Sequence, residues 1–248
     1  METHAHHLQK APGKKFWHYL FEFFMLFLAV FCGFLAENIR EHTVEREREK
    51  QFIRSLVEDL GGDTMILAQA VNDLHANVKR MDTLMKLLTS REVKDHGSDL
   101  YHLGRRASRG EILALHDWTI QQMKNSGGFR LIRNQKASKA IIEYYNRVNF
   151  IDMLNKTGLD ESDDYRKLAI DVFHPILFDS IVMPDNVIVR PAFNPALLTY
   201  DPVILLRLAG KVSYIKNTRL ALAIQEEAMK QAAKELILLL RKEYHLNE

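Results

Sequence analysis

Residues Phe16–Ala36 read FWHYLFEFFMLFLAVFCGFLA, and this segment constrains the chain more than any other. It holds 7 of the 13 phenylalanines, and besides His18 its only charged side chain is Glu22. At about 1.5 Å rise per residue it makes a helix of roughly 30 Å, the thickness of a bilayer's hydrocarbon core. Trp17 and Tyr19 stand at one end, where interfacial aromatic residues belong. The hydropathy argues against a buried core helix of a soluble protein. A cleaved signal peptide fits poorly too. There is no A-x-A site, Cys32 follows Phe31 where a lipoprotein signal needs a small residue, and the helical pattern runs on past Ala36. The segment reads as an uncleaved signal anchor, which implies a single-pass protein of the cell inner membrane with the lipid bilayer as a partner.

The flanks leave two orientations open. Lys10, Lys14 and Lys15 precede the helix, whereas Arg40, Arg46, Arg48 and Lys50 follow it among five glutamates. Counting Lys and Arg alone favours a cytoplasmic C-terminal flank; a short basic N-terminus before a first helix favours the reverse. The second arrangement, with the bulk of the chain in the periplasm, is the preferred expectation.

Beyond the anchor, helix breakers are scarce. The chain has 11 glycines and 6 prolines, and five of the prolines fall between 175 and 202. The expected fold class is all-α, an N-terminal transmembrane helix continuing into an antiparallel helical bundle. The expected organisation is a flexible tail over 1–15, the anchor over 16–36 and the bundle over 37–248. Lys and Arg number 34 against 32 Asp and Glu, a net charge of +2 that argues against a nucleic-acid partner. The single cysteine excludes an internal disulfide and a cysteine-based zinc site.

The 37–51 stretch reads as a solvated helix with i,i+3 pairs such as Glu37–Arg40. Gly61-Gly62 is expected to kink or end that helix, with Asp63 as a new N-cap. Leu67, Val71, Leu74, Val78, Met81, Met85 and Leu88 alternate at spacings of 4 and 3, a heptad seam. Residues 91–110 read as a polar loop whose RRASR run (105–109) is solvated. A helix over 111–126 is expected to end at Ser126-Gly127-Gly128 with one glycine at positive φ. Asn134 caps the next helix, which carries the stripe Ala137, Ile141, Tyr144, Val148, Ile151 and Leu154. Asp160 to Asp164 suit the start of a further helix, ending near Pro175. The stretch 183–202 is an extended connection, and Asp201-Pro202 opens a last helix running to about Tyr244, with a possible break near Gly210.

The order FLAENIREH, RSLVEDL (54–60) and WTIQQMKNSGGFRLIRNQKASKAIIEYYN (118–146) resembles a family of single-pass membrane proteins common in Bacteroidetes, a domain of unknown function. The hallmark positions are Thr119, Lys124, Ser126, Gly127, Leu131, Ile132, Asn134, Tyr144 and Tyr145. The resemblance implies the anchor and an all-helical domain; it implies no activity.

Chemistry-bearing motifs are few. His4, His6 and His7 cluster in the tail, but there is no H-E-x-x-H, G-x-S-x-G, Walker loop or G-x-G-x-x-G. Glu161, Asp163 and Asp164 read as helix-dipole acids rather than cation ligands. The expectation is a non-enzymatic protein with no metal and no cofactor. Arg130, Arg133, Tyr144 and Tyr145 are the candidate ligand or partner contacts, since Arg and Tyr are favoured at interfaces. In the anchor, Glu22, Leu26, Ala29, Gly33 and Ala36 recur at spacings of 4 and 3. They mark a face suited to a second membrane helix, through Ala29-x₃-Gly33 and a carboxyl that is costly as an ion in lipid.

Two functional classes follow. The first is a membrane-held scaffold or adaptor, either a homo-oligomer or bound to a membrane-protein partner. The alternative is a sensory module that binds a small ligand and signals through a partner in the membrane. A polar pocket near Arg130 and Tyr145 would favour sensing; a dry bundle with an exposed apolar groove would favour the adaptor.

Overall fold

The computed structural model describes residues 13–110 and 113–246, with side chains from residue 16. The His4, His6 and His7 cluster therefore lies outside the described residues, as does most of the expected tail. The fold is all-α: α1 (Gly13–Leu88), α2 (Gly97–Ala107), α3 (Trp118–Asn125), α4 (Gln135–Ala169), α5 (Pro175–Ser180) and α6 (Pro202–Tyr244), with two short 3₁₀ turns at Val93–His96 and Gly128–Leu131. Among the described residues there is no strand; Val187–Val189 contributes only an isolated bridge, Val182 to Ile188.

Two compact units divide the chain, one up to Gln51 and one from Phe52. In the first, α1 contains an 18-residue window of mean hydropathy 2.2, none of it buried, long and apolar enough to be a candidate membrane-spanning helix. Its exposed side chains include Phe16, Trp17, Phe21, Phe23, Leu26 and Phe34. Further along, Arg40 donates to Glu37 at 2.9 Å, the expected surface pair.

The second unit begins where burial begins. From Ile53 to Leu88 the buried positions of α1 are 53, 56, 60, 63, 67, 71, 74, 77, 81, 84 and 88, a mean spacing of 3.5 that keeps one seam facing its neighbours. The seam departs in detail from the heptad read in sequence: Asn77 and Leu84 are buried, whereas Val78 and Met85 are half-buried. α1 does not end at Gly61-Gly62, so Asp63 is not an N-cap but a buried seam residue.

Helices α4 and α6 pack antiparallel. Ala137 and Ile141 at the start of α4 share a core with Ala233, Leu236 and Leu240 at the end of α6. Tyr165 and Ala169 share a second core with Leu205, Leu208 and Val212. Between the two cores each long helix contributes a buried polar residue: Asn77 from α1, Ser162 from α4 and Arg219 from α6. Arg219 donates to the backbone carbonyl of Arg109, and Arg166 to that of Ser108 at 2.8 Å. Cationic side chains thus satisfy carbonyls just past the C-terminus of α2, where the helix dipole favours positive charge.

Other expectations are corrected here. Residues 91–110 are mostly helix, because Gly97 and Gly104 are packing positions: a Cβ at 97 would lie 1.9 Å from the Pro195 carbonyl oxygen and one at 104 would lie 2.5 Å from the Phe173 ring. The RRASR run is not a solvated loop, since Arg105 lies over the Phe178 ring and Arg109 donates to the Asn186 carbonyl. The helix expected over 111–126 is only Trp118–Asn125. Helix α4 runs unbroken through Asp160–Asp164, where the acids meet bases one turn on, as Asp164 does Lys167 at 3.0 Å. Helix α6 is continuous through Gly210, and Asp201 caps it with Pro202 at its first position, as the sequence indicates.

Candidate functional site: a carboxylate–histidine cleft beside Tyr145

Asp63 is 1% exposed yet charged by type, so its partners matter. The carboxylate accepts the backbone N–H of His116 at 2.8 Å and the Tyr144 hydroxyl at 3.1 Å. Nδ1 of His116 lies 2.9 Å from the same carboxylate. A carboxylate only accepts, so Nδ1 carries the proton and Nε2 is left to face other partners. His116 sits in the 113–117 connection, against the turn of α1 that contains Gly62. A Cβ at residue 62 would lie 2.6 Å from Cε1 of His116, so this glycine is the slot in which the imidazole rests. One turn earlier on α1, Asp59 accepts the backbone N–H of Thr119 at 3.3 Å, near the start of α3.

Tyr145 packs edge-on against Tyr144, their ring centroids 5.2 Å apart at 89°. Burial, and then the charge of Asp63, push both hydroxyls well above the ordinary tyrosine range. They differ in hydrogen bonding, however. Tyr144 donates to Asp63, whereas the shielded Tyr145 hydroxyl has no hydrogen-bond partner. In a native fold such an orphan is uncommon and calls for an explanation.

Asp63, His116 and Tyr145 line a cleft of about 440 Å³. Ile120, Phe129, Ile142 and Val148 supply apolar wall, and Asp117, Lys124, Asn146, Asn149 and Asp152 supply polar groups. A few placed polar groups on an apolar wall is the usual character of a small-molecule site, and the volume lies in the usual range.

Of the four contact residues read from sequence, the structure brings together the two tyrosines: Tyr145 on the cleft and Tyr144 behind it. Arg130 and Arg133 are exposed in and just after the 3₁₀ turn, and neither lines the cleft. Asp63 and His116 were missed as site residues. The signal available was Gly62-Asp63 inside an otherwise regular apolar seam, a pattern that reads equally well as a helix break. In the candidate membrane-spanning helix Glu22, Leu26, Ala29, Gly33 and Ala36 are all exposed, and a Cβ at Gly33 would meet nothing within 4 Å.

Among the other residues of the 118–146 stretch, Asn134 caps α4 by accepting from Lys136 and Ala137 and donates from Nδ2 to Glu243 on α6 at 2.5 Å. Thr119 and Ile132 are buried, so these positions serve packing and helix ends. Comparison with family models, with curated proteins and with solved structures finds no match to this chain.

Proposed function

We propose that the protein is a membrane-anchored ligand-binding module: a sensory bundle that takes a small molecule into the cleft beside Tyr145 and signals through a partner in the membrane. The observation that carries this reading is a cleft of about 440 Å³ in which an apolar wall meets His116, oriented by the buried Asp63, with the Tyr145 side chain on its lining. An adaptor needs no such construction. The anchor lies in the inner membrane with the basic N-terminus cytoplasmic and the bundle in the periplasm, an orientation supported by Lys10, Lys14 and Lys15.

The test is a fragment screen on full-length protein in nanodiscs, read by ligand-observed NMR. Trp118, exposed and adjacent to Asp117, offers a fluorescence reporter once Trp17 is replaced by Phe. Filling the cleft with Asn149→Trp should abolish binding without lowering the melting temperature. Hits that survive this substitution would place binding elsewhere and end the proposal. Protease protection of a C-terminal tag in spheroplasts checks the orientation.

The adaptor reading keeps one specific support. Val203, Leu206 and Tyr214 are exposed along one face of α6, an apolar stripe of the kind that partner helices cover.

A further inference from the structure

Charge on the cleft is one-sided. Three carboxylates line it, Asp63 at the floor and Asp117 and Asp152 on exposed positions, against a single cationic side chain, Lys124. His116 is held to Asp63 through Nδ1, 2.9 Å from the carboxylate, with its ring on the cleft lining. Asp63 accepts three hydrogen bonds, and a carboxylate has room for about four. The raised ionisation of the Tyr145 hydroxyl has burial as its first cause and then Asp63, Asp59 and Asp117. An anion brought to the cleft meets three carboxylates and finds one Lys; a cation finds the exposed rim acids Asp117 and Asp152, with the buried charge of Asp63 behind them.

A bare divalent cation is a poorer fit than an organic one. Among the described residues, no three His, Cys, Asp or Glu side chains converge as metal ligands. Much of the cleft wall is hydrocarbon, from Ile120, Phe129, Ile142 and Val148, which calls for a ligand with an apolar body.

We infer that the cleft binds a small organic cation, its ammonium group held by the rim carboxylates Asp117 and Asp152 and its apolar body lying against Phe129 and Ile142. The inference rests on the reading of this cleft as a ligand site and adds the class of ligand.

The experiment uses three probes on one skeleton: phenethylamine, phenylacetamide and phenylacetate. Each is titrated calorimetrically into full-length protein in zwitterionic nanodiscs, which do not themselves concentrate cations. The amine is expected to bind about tenfold tighter than the amide or better, with no saturable binding of the carboxylate. Asp117→Asn combined with Asp152→Asn should lower the amine's affinity about tenfold and leave the amide's unchanged, and added salt should weaken the amine alone. If the carboxylate or the amide binds as well as the amine, the cleft is a ligand site and the cation assignment is wrong. If none of the three binds and the fragment screen gives no hit sensitive to Asn149→Trp, the reading of the cleft falls and takes this inference with it.

Discussion

The imidazole of His116 occupies the space where Gly62 lacks a side chain, with Cε1 only 2.6 Å from where a Cβ would stand. The adjacent Gly61 has nothing within 4 Å of its Cβ position. Two glycines side by side on one helix therefore have opposite meanings. Gly61→Ala is expected to raise stability by about 1 kcal/mol, because alanine restores helix propensity at no steric cost. Gly62→Ala is expected to expel His116, breaking its hydrogen bond to Asp63 and lowering the melting temperature. Thermal melts of both variants, with the His116 imidazole followed by NMR, check this; equal melting temperatures for the two would show that the slot does not matter.

Asp63 is the hub of that arrangement. Asp63→Ala leaves the His116 backbone N–H and the Tyr144 hydroxyl without an acceptor inside the bundle. The expected cost is about 3 kcal/mol, the range for stranded buried donors. Asp63→Asn keeps an acceptor oxygen and should cost less than half as much. Denaturant titrations that rank the two variants in the opposite order would mean that the carboxylate is not holding these donors.

The turn after α3 separates two further glycines. Gly127 has φ +68, the left-handed region, and its Cβ position is uncrowded, so Gly127→Ala should cost about 1 kcal/mol through backbone strain alone. Gly128 has no positive φ, but a Cβ there would lie 2.9 Å from the Phe52 ring and 3.3 Å from Cα of Met123. Gly128→Ala should therefore be rescued by trimming Phe52 to Leu, whereas Gly127→Ala should not. Denaturation midpoints of the two pairs of variants make the comparison.

These glycines also show where the sequence is legible and where it is not. Periodicity made the long helices readable, because apolar stripes such as Ala137, Ile141, Tyr144 and Ile151 are written within one segment. Caps were readable for the same reason: Asn134 and Asp201 act on backbone two or three residues away. Gly62, and the helical glycines Gly97 and Gly104 inside the 91–110 stretch that reads as a loop, are not legible as packing positions because their purpose lies far along the chain, in His116, Pro195 and Phe173. The candidate site was half legible on the same principle. Tyr144 and Tyr145 belong to a local motif, but the Asp63 that meets Tyr144 lies 81 residues earlier, which no local pattern reports.

Alkaline pH should unfold the bundle cooperatively. Burial holds the Tyr144, Tyr145 and Tyr165 hydroxyls above their ordinary value of 10.0 in the folded state. A raised folded pKa means that the stabilisation is fully present below about pH 10, the unfolded value. As pH climbs beyond it, the unfolded chain releases protons that the folded chain keeps, and stability falls. Tyrosinate absorbance and helical circular dichroism, followed together from neutral pH upward, should therefore change in a shared late step. Complete tyrosinate absorbance with helicity intact would contradict the burial of these hydroxyls.

The candidate membrane-spanning helix yields the last prediction. Glu22, Leu26, Ala29, Gly33 and Ala36 lie along one side of an apolar helix, and all five are exposed. The Ala29-x₃-Gly33 pair leaves a shallow strip on which a second helix can come close, which in lipid favours association through packing rather than through the hydrophobic effect. Glu22 lies about 7 Å along the helix from Trp17, at 1.5 Å per residue, deep enough that a hydrogen-bonding partner is favoured over an isolated carboxyl. Substituting Gly33→Ile fills the strip, and Glu22→Leu removes the polar contact while leaving hydropathy higher. Each should weaken self-association or partner binding in an in-membrane association assay, measured on the isolated segment and on the full-length protein with its native partners. An anchor that is only a tether would show wild-type association for both variants in both settings, and the face would then be lipid-facing.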